Sequence, residues 1–197
     1  MWPWEHVLVA YVVLSAVERG RFHRRPGDWP VVALVAGSLF PDVVDKPLAW
    51  EFGLVTSGYT VAHSVFVAVP AAALVYWGAR RRGTGRSGGG FVVGYLLHLA
   101  GDVVPASVSR RRLHLDPVLW PVGSHEPVPG VSSTVEAVAS LLSLYVARLL
   151  AMEPGPLLVG RFLAVAFGCW LWVRDGRPGS RLVAGPVRRA AAGVRDR

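Results

Sequence analysis

Six apolar stretches, separated by charged or Gly- and Pro-rich segments, run along most of the chain. They cover residues 5–17, 29–41, 61–79, 91–108, 134–152 and 156–173. The third stretch is nineteen residues long, and His63 is its one side chain that ionises near neutral pH. About twenty apolar residues are enough for a helix to cross a bilayer. The pattern therefore predicts an all-α fold, a multi-spanning transmembrane bundle of four to six helices.

Prolines and glycines are expected to interrupt this pattern. Pro41 and Pro47 stand beside Asp42 and Asp45, and proline disfavours helical backbone, so a loop is predicted around the two aspartates. Residues 83–90 are rich in Gly, Ser and Arg and predict a flexible linker, whereas residues 113–122 are predicted to be re-entrant or to lie along the surface. We expect a membrane-embedded helical domain over residues 1–173 and a basic, mobile tail over residues 174–197.

The positive charge of the chain lies at the edges of the apolar stretches. The net charge is +8, and the mean hydropathy is +0.40. The basic residues fall in stretches 19–25, 80–86 and 110–112 and in the tail, an arrangement typical of contacts with acidic lipid head groups. The tail has no aromatic residues among its arginines, which argues against a nucleic-acid partner. Membrane lipids are the expected partners, and the expected location is the cell membrane, as a multi-pass protein.

Candidate chemistry is concentrated in histidines and aspartates within or beside the apolar stretches. His98 and Asp102 are four residues apart, which puts both side chains on one face of a helix. Imidazole and carboxylate are zinc ligands, and ionisable groups inside a membrane segment are functional candidates because burying them is costly. The single cysteine, Cys169, excludes an internal disulfide and a cysteine-cluster metal site. Further candidates at the ends of earlier stretches are His6, Asp42, Asp45 and His63.

Consecutive antiparallel helices would bring these candidates to one end of a bundle. They stand alternately at the start and the end of successive stretches: His6, then Asp42 and Asp45, then His63, then His98 and Asp102. The Arg-rich loops 19–25 and 80–86 fall at the opposite end, so the positive-inside rule puts the candidates on the non-cytoplasmic face. A simple hairpin of the last two helices would conflict with this orientation, because the basic tail would then leave from the candidates' end.

Each candidate also has an ordinary structural explanation. The pair His98 and Asp102 alone could be a hydrogen bond within a helix, Asp42 and Asp45 could form a turn, and His6 could be an interfacial histidine. Convergence of six groups favours a metal site over these explanations. The polar segment between the fourth and fifth apolar stretches holds three more candidates: His114, His125 and Glu126. Three roles are open for them: contacts with a substrate, an additional shell around a metal, or ordinary loop residues.

Three motifs carry a resemblance to a known family. They are Gly-Ser-Leu-Phe-Pro-Asp-x-x-Asp at 37–45, Ala-His-Ser at 62–64 and Gly-Tyr-Leu-Leu-His-Leu-x-Gly-Asp at 94–102, preceded by a Trp-rich amino-terminal stretch with His6. Together they resemble the YdjM-like family of membrane-bound proteins classed as metal-dependent hydrolases, particularly its archaeal members. The resemblance covers about the first half of the chain and implies a multi-spanning helical protein with hydrolase activity on an undefined substrate.

The order His, Asp, His, His-x-x-x-Asp is also similar to part of the zinc-dependent phospholipase C and single-strand nuclease superfamily. That likeness implies that Asp102 bridges two ions and that Asp42 or Asp45 joins the histidines as a ligand. Those enzymes supply a further metal site from a later His-x-x-x-Glu, whereas His125 and Glu126 are adjacent here. The departure argues against a third metal and against a specific phospholipid substrate.

The combined prediction is a membrane-embedded hydrolase that acts on a phosphoester or lipid-like substrate with one or two divalent ions, zinc first, and metal-activated water. Asp45 is the predicted catalytic residue, which orients or deprotonates the water. The alternatives are an ion or proton-coupled transporter, because intramembrane His and Asp also form ion paths, and a non-catalytic adaptor with a structural metal. The predicted metal ligands are His6, Asp42, His63, His98 and Asp102.

Overall fold

The computed structural model describes residues 2–123, 133–151 and 156–182, which form six α-helices. The described residues contain no β-strand, so the predicted all-α fold is confirmed. Two helical stretches, Gly85–Val108 and Thr134–Ala151, are long and apolar enough to cross a membrane. The helices are α1 (Pro3–Phe22), α2 (Asp28–Trp50), α3 (Val65–Arg81), α4 (Gly85–Arg110), α5 (Thr134–Ala151) and α6 (Pro156–Arg174), with a short 3-10 turn at Asp116–Val118.

The contact between α2 and α4 is the most extensive in the structure and depends on glycines. A Cβ atom built on Gly94 would overlap the carbonyl oxygen of Leu34 and lie 2.8 Å from the backbone nitrogen of Ser38. Gly37 and Gly90 are equally close to the backbone of the facing helix. The two backbones therefore touch, as small residues allow in membrane helices. This contact sets His98 of α4 beside the end of α2.

Two sequence-based expectations about the helix boundaries are wrong. Pro41 and Pro47 lie inside α2, which continues to Trp50, because packing against α4 holds the helix although each proline removes a backbone donor. Residues 85–90 of the segment predicted as a linker form the first turns of α4 instead. Its glycines are packing residues, since a Cβ atom on Gly88 would lie 2.5 Å from the Cβ atom of Ala79.

Helices α1 to α4 alternate in direction, as predicted. At one end of the bundle, which we call the far end, Glu18 of α1 accepts hydrogen bonds from Arg24, at 2.6 Å, and from Arg86 of α4, at 3.0 Å. Both Arg-rich loops therefore meet at the far end. His6 marks the opposite end, called the site end.

The position of α6 differs from a simple hairpin with α5. Asp175, directly after α6, contacts Tyr11, Ser15 and Arg19 of α1 at the far end. Helix α6 therefore runs parallel to α1, and the basic tail leaves from the end that holds the Arg-rich loops. Beyond the predicted tail boundary, the backbone nitrogen of Gly179 donates to Asp28 at 2.7 Å. Residues 183–197 of the predicted tail lie outside the described residues.

Helix α5 makes its contacts at the site end. The backbone nitrogen of Thr134 donates to Glu51, beyond the end of α2, at 3.1 Å. Three turns later the ring of Tyr145 lies 4.6 Å from that of Trp2 and 5.8 Å from that of Trp4, at the start of α1. This part of α5 therefore lies across the site end, which explains how α6 starts there and runs parallel to α1.

Replacing Asp175 is expected to loosen α6 from α1. Burial raises the pKa of Asp175, but hydrogen bonds from Tyr11, Ser15 and Arg19 outweigh burial and lower it overall. Asp175→Ala leaves two buried hydroxyl groups and a guanidinium without their acceptor, so the free energy of unfolding in detergent should fall by about 3 kcal/mol. Asp116→Ala is the control, because the Asp116 side chain is 52% exposed and its loss should change stability little.

The same contact predicts a pH dependence with a defined sign. A carboxyl group whose pKa is lowered by folding stabilises the protein above its unfolded pKa, about 3.9 for Asp, and loses this effect as the pH falls through the folded pKa. The unfolding curves of the wild type and Asp175→Ala should therefore converge in strong acid. An unchanged difference there would show that the Asp175 charge is not what stabilises the contact.

Candidate metal-binding site

Helix ends and one loop bring the six predicted side chains together at the site end. Helix α1 supplies the first histidine, the last turns of α2 two aspartates, the loop before α3 the second histidine, and α4 the remaining pair. The three imidazoles and one aspartate are at most 1% exposed, and the other two carboxylates are nearly buried. The residues are His6, Asp42, Asp45, His63, His98 and Asp102.

Hydrogen bonds fix how the two central imidazoles face each other. The Nδ1 atom of His98 lies 2.6 Å from the carbonyl oxygen of Ser38, which can only accept, so Nδ1 donates and Nε2 keeps its lone pair. The Nδ1 atom of His63 likewise donates to Asp45 at 2.9 Å. The two Nε2 atoms point into the cluster and lie 3.2 Å apart.

This arrangement fits a divalent ion. Two nitrogen lone pairs facing at 3.2 Å repel unless a positive charge stands between them. A tetrahedral zinc with Zn–N bonds of about 2.0–2.1 Å holds two ligand nitrogens roughly 3.3 Å apart. The hydrogen bond from each Nδ1 atom to an oxygen is also the usual support of metal-binding histidines. His63 and His98 are therefore oriented as a pair of metal ligands.

Carboxylates add negative charge around these nitrogens. The Asp42 Oδ1 atom lies 3.5 Å from Nε2 of His63, and the Asp102 Oδ2 atom lies 3.4 Å from Nε2 of His98. Asp102 Oδ2 also lies 3.8 Å from Nε2 of His63. The carboxylates thus stabilise a positive charge at Nε2, whether a proton or a metal ion carries it.

The ligand atoms form two overlapping groups. One group is Asp42, His63 and His98, the other is His6, His98 and Asp102, and within each group the ligand atoms lie within 4.8 Å of one another. In the second group, His6 Nε2 is 3.3 Å from Asp102 Oδ1. The His6 Nδ1 atom is buried and has no hydrogen-bond partner among the described residues. Each group offers three protein ligands, the number found in catalytic zinc sites.

Asp45 faces the loop instead of the centre of the cluster. Its carboxylate accepts hydrogen bonds from the backbone nitrogens of Thr60, Ala62 and His63, at 2.9 to 3.0 Å, and from Nδ1 of His63. Both carboxylate oxygens are therefore engaged, and Asp45 is fully buried. This geometry favours a role in positioning His63 over the predicted role as a base acting on water.

Sequence reasoning missed two residues beside the cluster. The Lys46 ammonium lies 2.7 Å from Asp42 Oδ1, in an ion pair across one helical turn. Its signal was the spacing of four residues from Asp42, which becomes visible once α2 is known to continue through Pro41. The ring of Tyr59 lies 4.7 Å from that of His63. Nothing in the sequence marks Tyr59, because the loop that carries it has no periodic pattern.

The other histidines lie elsewhere. His23 follows α1 at the far end, as predicted. The Nδ1 atom of His114 lies 3.1 Å both from Arg110 and from Asp116, in the connector after α4. His125 and Glu126 lie outside the described residues, so their predicted alternatives stay predictions.

Comparison with known proteins supports a membrane assignment. A family model described as YdjM inner membrane protein matches residues 1–177, which include all six helices and the whole cluster. No curated protein and no solved structure matches the chain. The resemblance to archaeal members and the likeness to the phospholipase C and nuclease superfamily stay predictions. A match over most of its length shows that the chain belongs to the YdjM inner membrane protein family.

Proposed function

We propose that this protein is a membrane-embedded hydrolase that cleaves an ester or phosphoester with one or two divalent ions, zinc first. The observation that carries the proposal is the 3.2 Å separation of two Nε2 atoms whose rings are both held through Nδ1. Asp42, His63 and His98 are the ligands of the first ion. His6 and Asp102 offer a second position, at which an additional ion would have these two protein ligands, because the single free lone pair of His98 can bind only one ion at a time.

The chemistry follows from the surroundings of the cluster. A bound divalent ion lowers the pKa of water to about 7 and stabilises negative charge on a carbonyl or phosphoryl oxygen. Water adds across the ester: its oxygen bonds to carbon or phosphorus, the ester bond breaks and a proton passes to the leaving oxygen. Asp45 holds His63 in the required tautomer, and Lys46 keeps a positive charge beside Asp42 that an anionic substrate group can also approach.

Asp45→Asn should have different effects depending on whether Asp45 positions His63 or acts as a base on water. In Asp45→Asn the NH2 group of the amide must face one of the groups that donate to the Asp45 carboxylate. The hydrogen bond that orients His63 is thereby weakened, so zinc affinity should fall about ten- to hundredfold. Chelator competition measures this change, with Asp116→Asn as the control. Full zinc affinity with a lost hydrolysis rate would instead favour Asp45 as the base.

We further propose a multi-pass topology with the far end in the cytoplasm. Two Arg-rich loops and the start of the basic tail gather there, and basic residues flank membrane segments on the cytoplasmic side. The site end then faces away from the cytoplasm. The exposed apolar faces, including Leu74 at 67% and Trp77 at 58% exposure, are suited to contact with lipid.

Cysteine labelling tests this topology. In a Cys169→Ser background, Phe52→Cys at the site end should react with an impermeant reagent in intact cells. Arg82→Cys and Arg174→Cys, both at the far end, should react only after lysis. Equal labelling of Phe52→Cys and Arg174→Cys would favour a simple hairpin of α5 and α6. Equal labelling of all three variants would contradict the proposed topology.

The activity itself can be tested on purified protein. Chelator-treated protein reloaded with zinc should hydrolyse members of a panel of chromogenic esters and phosphoesters, and His98→Ala treated in the same way should not. Bound zinc without turnover on any substrate would favour a non-catalytic adaptor. Zinc or proton flux in reconstituted vesicles, without turnover, would favour a transporter.

A further inference from the structure

A groove of about 610 Å³ runs between α1 and α6. This volume lies within the usual range of small-molecule sites, about 300–1,000 Å³. Apart from Glu5, the side chains that line it are apolar. The groove is open at the side, because Val9, Val13 and Phe167 are 37–50% exposed.

The sequence explains why the two helices leave this space. At Gly168 the helices are in close contact, since a Cβ atom there would lie 3.2 Å from the Cδ2 atom of Leu8. One turn earlier, α6 presents Ala164 and Val165, which are too short to fill the gap toward Val9 and Val12. The result is an apolar groove that is open at the side.

One end of the groove adjoins the metal cluster. Glu5, which lines that end, directly precedes His6, and Pro105 lies one helical turn beyond Asp102. His6 and Asp102 are themselves 3.3 Å apart. From Glu5 to Val13 the groove follows α1 for about 12 Å away from the cluster. The apolar groove thus begins at residues that neighbour His6 and Asp102 along α1 and α4.

We propose that this groove holds the hydrocarbon chain of the substrate, so that the substrate of the cluster is a lipid amphiphile whose ester head group reaches His6 and Asp102. The inference rests on the proposed hydrolase function. Because the groove opens at the side, a chain can enter from the bilayer without leaving apolar surroundings. Only the head group then has to exchange its polar contacts for those of the cluster.

Photo-crosslinking in lipid nanodiscs tests the groove directly. The probe is decyl phosphate with a diazirine at the far end of its chain, applied to zinc-loaded protein, and mass spectrometry locates the labelled residues. Label is expected within residues 8–13 or 164–167 and should be competed by plain decyl phosphate but not by inorganic phosphate. Val9→Trp, which fills the groove, should reduce this label at least about tenfold.

The matched control is Val75→Trp on α3. Val75 is 40% exposed and Val9 is 41% exposed, but Val75 does not line the groove. Its label should equal that of the wild type. Label spread over the lipid-facing surface of α3 as well, or label indifferent to Val9→Trp, would overturn the groove as a specific site.

Zinc content and the hydrolysis of water-soluble short-chain esters separate this proposal from the hydrolase function. Val9→Trp should keep its zinc content, because Val9 is not one of the ligands. If the wild type holds zinc and turns over short esters but shows no groove label, the groove proposal fails and the hydrolase function stands. If the groove is labelled but no zinc binds and no ester is cleaved, the hydrolase function fails, and the groove is a lipid-binding cleft and not part of a substrate site.

Discussion

His63→Ala and His98→Ala should each lose nearly all bound zinc and all metal-dependent hydrolysis. Each change removes one of two nitrogens whose lone pairs are directed at the same point, 3.2 Å apart. The remaining ligands cannot rebuild the coordination geometry, because the partners at Nδ1 and the surrounding helices hold every other group in place. Zinc per chain, measured by elemental analysis after dialysis against a weak chelator, is the primary measurement.

The control for these variants is His23→Ala at the far end, which should leave both zinc content and rate unchanged. Asp102→Ala should follow His98→Ala, because Asp102 contacts both His98 and His6. Full zinc occupancy and activity in His98→Ala would reduce the pair His98 and Asp102 to a hydrogen bond within α4. That result would contradict a metal site at this cluster.

Gly94→Ala should be among the most damaging single methyl additions to the helices that the structure describes. The new Cβ atom would overlap the Leu34 carbonyl and lie 2.8 Å from the Ser38 nitrogen, and backbone atoms cannot move aside as flexible side chains do. We expect the free energy of unfolding to fall by about 3 kcal/mol. Zinc should be lost as well, because the Ser38 carbonyl that orients His98 would shift.

Gly78→Ala provides the matched comparison. Gly78 lies inside α3, and a Cβ atom there has no other atom within 4 Å. The same substitution should therefore stabilise the protein by up to about 1 kcal/mol, as expected for alanine in an open helical position. Equal effects at both positions in thermal unfolding would argue that helix propensity, and not the contact between α2 and α4, explains the loss at Gly94.

The convergence of the candidate residues could be predicted from sequence because it depends only on helix direction. Short connections force successive helices to alternate, so residues at the start of one helix and the end of the next meet at one end. Helix direction alone, without side-chain detail, brings His6, His63 and His98 to the same end. It could not predict the role of Asp45, because the backbone nitrogens that occupy this carboxylate come from an irregular loop.

The errors arose where packing outweighs local preference. Proline and glycine in the sequence predict interruptions, but contact with α4 keeps Pro41 inside α2, and Gly88 and Gly90 serve close packing. The placement of α5 could not be predicted for a different reason. An apolar stretch such as residues 134–152 predicts a helix, but it does not say whether that helix crosses the bundle or lies across its end.

The zinc X-ray absorption spectrum of the purified, zinc-loaded protein tests the metal site most directly. We expect about two imidazole nitrogens per zinc at roughly 2.0–2.1 Å, with carboxylate oxygens completing the shell and no sulfur at about 2.3 Å. The spectrum of His98→Ala should lose one imidazole or show no bound zinc. Wild-type protein that fails to retain zinc, or a zinc shell containing sulfur or a single imidazole, would contradict the assignment of His63 and His98 as paired ligands.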